Sequence, residues 1–160
     1  MKRKYLKGRI EIKKATQEDG IYIGNHLREA DQHEGWSASR MRPVEMCTYS
    51  IQSSQVAFSI LLDGEPIGIF GVADYSVVLR SGVIWFLGTD RIKEIGYLFV
   101  KYTRPFIKIF LSRWDRLMNQ VHSKNKESLG WLKLSGFKID DPMPYGYDQE
   151  LFHYIEIRRN

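Results

Sequence analysis

The sequence holds almost no cysteine and no long apolar run. Cys47 is the single cysteine among 160 residues, which excludes an internal disulfide framework and any metal site built from several cysteines. No neighbour of Cys47 in the sequence would lower the pKa of its thiol, so we expect no reactive role for it. No apolar stretch approaches the roughly 20 residues of a membrane-spanning helix. We therefore expect a soluble protein inside a cell, without a membrane partner.

Positive charge is concentrated near the beginning of the chain. The formal net charge is +5, and the first fourteen residues carry seven lysines and arginines against one acid, Glu11. Residues 1–8 are predicted to form a basic, flexible arm, and residues 9–160 a single domain. A second basic group has the spacing of one helix face and consists of Lys101, Arg104 and Lys108. Both groups could bind the phosphates of a nucleic acid or a nucleotide, and a solvated surface is the simpler alternative.

Apolar periodicity predicts an α+β protein. The predicted strands cover residues 9–14, 55–62, 66–72, 82–88, 117–121, 137–140 and 150–158. The predicted helices begin after the N-cap hydroxyl of Thr16, at Pro43, at Arg91, at Tyr97 and after Asn125. Residues 35–39 are predicted to form a loop. Asp63-Gly64 is a strong turn signal and indicates a hairpin between the second and third strands.

Two segments of this pattern need separate comment. The nearly continuous apolar run from Gly82 to Gly88 is typical of a strand buried on both faces at the centre of a sheet. The helix that begins at Tyr97 contains Pro105, so either it kinks there or its ordered part begins near Arg104. The tryptophans expected in the core are Trp36, Trp85 and Trp114.

The succession of strand, polar turn, helix and strand around residues 117–140 resembles the C-terminal half of the GNAT (GCN5-related N-acetyltransferase) fold. The residues that carry the likeness are Asn125, Ser128, Leu132, Gly136 and Phe137. The resemblance implies a GNAT-like acyl-CoA N-acyltransferase fold, with a mixed and mostly antiparallel sheet flanked by helices. It also implies that the strands 82–88 and 117–121 separate at one end to admit the arm of an acyl-CoA.

The sequence is similar in more detail to phage-encoded GNAT-like proteins, which include a small internal virion protein of short-tailed phages. The likeness is carried by residues 63–66, 71–73, 87–90 and 125–137. It implies a phage-type acetyltransferase in the host cytoplasm that moves an acetyl group from acetyl-CoA to an amine on a protein, nucleotide or small molecule. The alternative is a catalytically degenerate scaffold for virion assembly or host inhibition, whose partner is a virion or host protein.

The resemblance also indicates where a cofactor would bind. The residues expected to contact acetyl-CoA are Leu87, Gly88, Arg91, Arg104, Asn125 and Ser128. The family's glycine-rich turn, whose backbone N–H groups hold the pyrophosphate, is replaced here by residues 91–96 with a single glycine. Phosphate binding would therefore depend on side chains such as Arg91, Lys101 and Arg104. Asn125 and Ser128 could equally cap the helix that follows.

The catalytic groups common in the family are missing from the sequence. The strand 82–88 has no glutamate, and Trp131 or Leu132 stands where a tyrosine acid is usual. Asp90 and His122, at the ends of the two separating strands, are the predicted catalytic residues, with Asp74 as a further carboxylate. Asp90 could instead cap a helix, and His122 could be a hydrogen-bonded turn residue. His26 and His33 lack a third ligand, so a metal site is not expected.

Overall fold

The structure, a computed structural model, describes residues 9–160. The predicted basic arm, residues 1–8, lies outside the described residues. The strands are β1 (Ile10–Lys14), β2 (Val56–Leu62), β3 (Glu65–Ser76), β4 (Ser81–Gly88), β5 (Arg116–His122), β6 (Lys138–Ile139), β7 (Met143–Tyr145) and β8 (Glu150–Arg158). The helices are α1 (Gln17–Asn25), α2 (Glu29–Ser39), α3 (Pro43–Ser53), α4 (Ile92–Ile95), α5 (Leu98–Arg113) and α6 (Lys126–Leu134).

The strands form one mixed sheet with helices on both faces. Their order is β1-β2-β3-β4-β5-β8-β6, and β7 pairs with β8. The pair β4–β5 is parallel and the other described pairs are antiparallel. The predicted α+β class and the mostly antiparallel sheet are therefore confirmed. Among residues 9–160, every helix is too short or too polar to cross a bilayer.

Local signals in the sequence account for several element boundaries. The hydroxyl of Thr16 accepts the N–H of Asp19 at 3.1 Å, and the Asp19 carboxylate accepts the N–H of Thr16 at 3.0 Å, which completes a capping box before α1. Pro43 occupies the first turn of α3. The hairpin between β2 and β3 turns at Asp63 and Gly64, both with positive φ. These three predictions are confirmed.

The loop predicted for residues 35–39 is wrong, because α2 continues to Ser39. Gly35 is not a loop signal but a contact point, since a Cβ at that position would lie 2.3 Å from the sulfur of Met46 on α3. The glycine lets two helices approach closely. The same helix directs Trp36 outward, where it is 47% exposed. The prediction of Trp36 as a core residue is therefore wrong as well.

The helical structure is interrupted between α1 and α2 because the backbone there pairs with the end of β4. Leu27 forms a bridge with Thr89, and the N–H of Arg28 donates to the carbonyl of Gly88 at 2.9 Å. Backbone pairing with a distant strand thus interrupts the helical pattern that runs from Ile23 toward Ala30. Three helices, rather than the predicted two, separate β1 from β2.

The long helix α5 begins at Leu98 and continues through Pro105. The suggestion that its ordered part begins near Arg104 is therefore wrong. The carbonyl of Lys101 receives no hydrogen bond from Pro105, because proline has no N–H, and since both residues are exposed, water can bind that carbonyl instead. The predicted basic group on α5 does lie on its exposed side.

The sheet separates the largest apolar cluster, which lies on the side of α5, from a smaller cluster on the side of α1 and α3. On one face α5 packs against β2 and β3, for example through Phe106, whose ring centroid lies 4.8 Å from Phe58 and 5.4 Å from Phe70. On the other face, Ile23 and Cys47 from α1 and α3 pack against the sheet. Burial raises the pKa of the Cys47 thiol to about 12, so this thiol stays protonated at neutral pH.

Candidate active site between β4 and β5

The parallel strands β4 and β5 pair at one end only. Their ladder joins Ser81 to Arg116, Gly82 to Leu117 and Val83 to Met118. Just beyond it, the side-chain amide of Asn119 donates a 2.6 Å hydrogen bond to the carbonyl of Ile84. From there β4 stays paired with β3, and β5 with β8. The two strands therefore separate toward their C-terminal ends, as the resemblance implied.

A cavity of about 240 Å³ lies between the separated strands. Side chains from both faces of β4 line it, with Ile84 and Phe86 on the side of α5 and Trp85 and Leu87 on the side of α2 and α3. The cavity therefore passes through the plane of the sheet. This also corrects the prediction that β4 is buried on both faces throughout, since its central residues are only half-buried.

Glu34 on α2 is the only carboxylate among the described residues that line the cavity. Its Oε1 accepts the backbone N–H of His122 at 2.7 Å and the side-chain amide of Asn125 at 3.5 Å. Burial, followed by the negative charge of Asp31, raises the pKa of Glu34 to about 7. A carboxyl group that changes protonation near neutral pH has the property that a general base needs.

Arg28 joins α2 to the beginning of α6 beside this cavity. Its guanidinium forms hydrogen bonds of 2.9 and 2.7 Å with Asp31 and of 2.6 Å with Glu127. The rings of Phe86 and Trp131 lie 5.5 and 5.2 Å from it. Burial acts to lower the pKa of Arg28, but Asp31 and Glu127 hold it above its usual value. The guanidinium therefore stays charged and fixes one wall of the cavity.

Asn125 and Ser128 organise the start of α6. The side-chain oxygen of Asn125 accepts the N–H of Ser128 at 3.4 Å, so the capping role considered for Asn125 is confirmed. The amide of the same side chain orients Glu34. Ser128 lines the cavity, and its hydroxyl accepts a 3.2 Å hydrogen bond from Arg28. Contact of either residue with a cofactor stays a prediction.

His122 lies at the end of β5 and is buried behind the cavity wall. Its Nδ1 accepts the backbone N–H of Lys124 at 3.1 Å, so the neutral ring carries its proton on Nε2, which faces Glu150 at 3.4 Å. His33 contacts the same carboxylate oxygen at 3.1 Å. Polar neighbours of Glu150, the Ser37 hydroxyl first and then His33, lower its pKa to about 2, although the Ser37 hydroxyl lies outside hydrogen-bonding geometry with the carboxylate. To act as a base, His122 would have to give up one of these contacts.

These three side chains, His33, His122 and Glu150, also place their ligand atoms within 4.8 Å of one another. A metal at Nε2 of His122 would require the proton on Nδ1, where it would face the N–H of Lys124. Two donors would then oppose each other. The arrangement suits a hydrogen-bonded triad better than a metal site.

The other predicted carboxylates lie away from the cavity. Asp90 is exposed, and its carbonyl accepts the N–H of Lys93 in the turn that begins α4. Asp74 accepts the indole N–H of Trp114 at 2.7 Å. Neither residue is among the described residues that line the cavity.

The predicted cofactor residues are divided between the cavity and the surface. Leu87 lines the cavity, whereas the N–H of Gly88 donates to Asp31 at 3.0 Å and is thus already bonded within the protein. Arg91 is paired with Glu65 and Glu94. Arg104 donates to the carbonyl of Leu134 at 2.7 Å, and its position is inside α5 rather than at a helix start.

Three residues of the site, Arg28, Asp31 and Glu34, were not predicted from the sequence. They follow one another at intervals of three, which places them on neighbouring positions of one helix face. That spacing was the available signal. It went unrecognised because residues 35–39 were predicted to be a loop.

Solved structures with the same architecture include GNAT-family acetyltransferases and other N-acetyltransferases. Spermidine N-acetyltransferase from Vibrio cholerae, solved with CoA and spermine, has a TM-score of 0.71 at 10% identity, covering 94% of this chain and 96% of that chain. The ribosomal-protein-S5-alanine acetyltransferase from Vibrio fischeri has a TM-score of 0.69 at 13% identity, covering 95% and 94%. A GNAT-family acetyltransferase from Streptococcus pneumoniae has a TM-score of 0.67 at 14% identity, covering 94% and 99%. No protein-family model and no curated protein matches the sequence. The chain therefore has the GNAT acetyltransferase fold.

Proposed function

We propose that this GNAT-fold protein is an acyl-CoA-dependent N-acyltransferase, which transfers an acyl group, acetyl in the simplest case, from a CoA thioester to an amine. The observation that carries the proposal is Glu34, a carboxyl with a pKa of about 7 inside the cavity between β4 and β5. The neighbours named above are acetyltransferases, and one of them was solved with CoA. A fold alone assigns no activity, so the proposal depends on the chemistry of this carboxyl.

The reaction needs a base that accepts a proton from the amine and an acid that donates a proton to the leaving thiolate. The amine nitrogen attacks the thioester carbonyl carbon while Glu34 takes a proton from the nitrogen. The C–N bond forms, the C–S bond breaks, and the thiolate receives a proton from Glu34, so the products are an amide and free CoA. The N–H of His122 and the amide of Asn125 orient Glu34 for both transfers.

The described residues fit the thioester end of the donor better than its phosphate end. The cavity supplies a slot beside β4, where pairing with β5 stops at Val83. The segment before α5 offers only a four-residue helix, α4, and Arg91 is held there by two glutamates. The phosphates would therefore depend on exposed side chains, of which Lys101 on the first turns of α5 is one.

The test compares Glu34→Gln with Glu29→Gln, an exposed glutamate on the same helix. CoA release from acetyl-CoA is measured with a panel of amines that includes spermidine and a peptide with an N-terminal alanine. We expect Glu34→Gln to lose roughly 10²–10⁴-fold in rate while acetyl-CoA binding persists, and Glu29→Gln to match the wild type. Absence of saturable acetyl-CoA binding at millimolar concentration, by calorimetry or melting temperature, would overturn the proposal.

A second candidate is a scaffold without catalysis that acts through a virion or host protein, as the phage resemblance suggested. One observation favours it. The tip of the β3–β4 hairpin exposes Val77, Val78 and Leu79 by 76, 92 and 67%, and a contiguous exposed apolar surface often marks an interaction site. Turnover of acetyl-CoA on any amine of the panel would count against this candidate.

A further inference from the structure

A second concave surface adjoins the cavity between β4 and β5. It is a groove of about 890 Å³ between α5 and the last strands of the sheet, and we call it the basic groove. Its walls are formed by α5 from Arg104 to Ser112, by the end of α6, by Lys138 of β6 and by residues 156–160. Ile107 and Ser135 line both the cavity and the basic groove. A ligand that fills the cavity can therefore continue into the groove.

Positive charge dominates the basic groove. The basic side chains among its described lining residues are Arg104, Lys108, Lys138, Arg158 and Arg159, against one acidic side chain, Glu156. Arg158 and Arg159 already bind Glu156 and carbonyl groups of α5. The side chain of Lys108 is exposed and forms no ion pair or hydrogen bond with another residue among 9–160. Lys138 lies 4.0 Å from Asp140 with 77% of its side chain exposed, so this pair contributes little and both lysines are available to an anion.

The space between α5 and α6 leads from the cavity to this groove. Near the start of α5 the ring centroids of Phe99 and Trp131 are 4.5 Å apart, so side chains fill the space between the two helices there. Farther along α5, Ile107 and Ser135 line the cavity on one side and the groove on the other. The passage between the helices therefore lies at Ile107 and Ser135.

This side of the cavity can bind the polar arm of a CoA thioester. Ser128, Trp131 and Ser135 line it and supply hydrogen-bonding groups. The indole N–H of Trp131 and the hydroxyl of Ser135 have no hydrogen-bond partner within the described part of the chain. Because the amides of the arm lose their water when they enter the cavity, they need partners of this kind.

We propose that the basic groove binds the nucleotide end of the acyl-CoA, and that Lys108 of α5 and Lys138 of β6 hold its phosphates. This inference rests on the proposed acyltransferase function. The arm passes between α5 and α6, with its amides beside Trp131 and Ser135, and the adenine packs on Leu134, which is 58% exposed. Side-chain cations thus take the place of the glycine-rich turn that the sequence lacks.

The test compares charge reversals of exposed lysines, with the affinity for CoA measured by calorimetry at about 0.15 M salt. Lys108→Glu and Lys138→Glu should each weaken CoA binding roughly tenfold, because an attraction to phosphate becomes a repulsion. Lys14→Glu is the matched control, since Lys14 is exposed on β1 at the opposite edge of the sheet from β6, and it should match the wild type. If neither Lys108→Glu nor Lys138→Glu changes the affinity, the inference is refuted.

Lys101→Glu distinguishes the basic groove from the start of α5. Lys101 lies seven residues before Lys108 on the same helix, which is about 10 Å along the axis and more than the screening length of about 8 Å at physiological salt. We expect Lys101→Glu to lose less affinity than Lys108→Glu. If it loses more than both groove variants, the phosphates lie at the start of α5, and the groove is refuted while the acyltransferase proposal stands.

A pantetheine thioester tests the phosphates directly, because it has the arm of acyl-CoA without the nucleotide. Its affinity should be the same for Lys108→Glu and the wild type, and an equal loss with both donors would refute phosphate binding by Lys108. A single-stranded oligonucleotide that binds the wild type more tightly than CoA, and binds Lys108→Glu more weakly, would assign the groove to nucleic acid and refute the inference. If no CoA thioester binds the wild type, the inference and the proposed function are both refuted.

Discussion

The backbone N–H of His122 donates a 2.7 Å hydrogen bond to Oε1 of Glu34, although the two residues lie 88 positions apart in the chain. The bond fixes a carboxyl group of α2 against the end of β5, where β5 has separated from β4. Asn125, before α6, holds the same oxygen. Three elements that are distant in sequence therefore hold one titratable group beside the slot.

The first prediction concerns the pH dependence of catalysis. Because the pKa of Glu34 is about 7, the fraction of ionised base should increase about tenfold per pH unit below pH 7 and level off above it. We expect kcat/KM of the wild type, measured with one amine and one acyl-CoA at every pH, to follow this increase below pH 7.

Glu34→Gln provides the control for that profile, because the acceptor amine also loses its proton as the pH rises. The ratio of wild-type to Glu34→Gln rates cancels the contribution of the amine. A ratio that stays constant between pH 5 and pH 9 would show that the carboxyl of Glu34 is not the base.

The second prediction concerns stability at the same site. The pKa of Glu34 is raised on folding from 4.5 to about 7, so the folded state binds this proton more tightly than the unfolded state. The stability gained by binding this proton is fully present below about pH 4.5 and is lost as the pH rises through 7. Glu34→Gln removes this loss, and should raise the free energy of unfolding relative to the wild type by on the order of 1–3 kcal/mol at pH 8.

Urea denaturation at pH 5 and pH 8 checks the second prediction. The advantage of Glu34→Gln should be small at pH 5 and larger at pH 8. Glu29→Gln, on the exposed part of the same helix, should show no such change between the two pH values. An equal effect of Glu34→Gln at both pH values would contradict the raised pKa.

The elements that could be predicted from the sequence are those with local causes. Thr16 completes a capping box with a residue three positions away, and Asp63-Gly64 turns the chain within two residues. Gly35 could not be interpreted in this way. Its role is a contact with Met46 on another helix, and the sequence gives the same letter for a flexible loop and a close helix contact.

The candidate site was harder to predict than the fold because its contacts are long-range. Leu27 leaves the helical pattern to pair with Thr89, which places Arg28 and Asp31 beside the end of β4. The pKa of Glu34 depends on burial and on Asp31, and neither is visible before the helices are packed. Residues at strand ends, such as Asp90, were easier to propose from the resemblance, yet the structure places that side chain on the surface.

The third prediction concerns the buried ion pair of Arg28 and Asp31, whose side chains are 4% and 1% exposed. Asp31→Asn would leave a buried guanidinium with Glu127 as its remaining acidic partner, and would also weaken the acceptor of the Gly88 N–H. We expect a loss of about 3–5 kcal/mol in the free energy of unfolding, measured by urea denaturation.

The matched control is Asp140→Asn. Asp140 pairs with Lys138 at 4.0 Å, and the two side chains are 47% and 77% exposed. Removal of this pair should change the free energy of unfolding by less than about 1 kcal/mol. If the two variants lose similar small amounts, the network around Arg28 does not hold α2 against β4 and α6.

The fourth prediction compares two glycines around α6, the helix that carries Ser128. Gly130 lies inside the helix, and a Cβ there would have no neighbour within 4 Å. Gly136 follows the helix with a φ of +93°, and its Cβ would meet only Ile157 at 3.8 Å. Space is thus available at both positions, and the backbone conformation decides the result.

Gly130→Ala should stabilise the protein by about 0.5–1 kcal/mol, because alanine is the better helix former. Gly136→Ala should destabilise it by about 1–2 kcal/mol, because a side chain is strained in the left-handed region. Both values come from thermal and urea denaturation of otherwise identical proteins, and a shift of the same sign in the two variants would show that the left-handed backbone of Gly136 does not follow the end of α6.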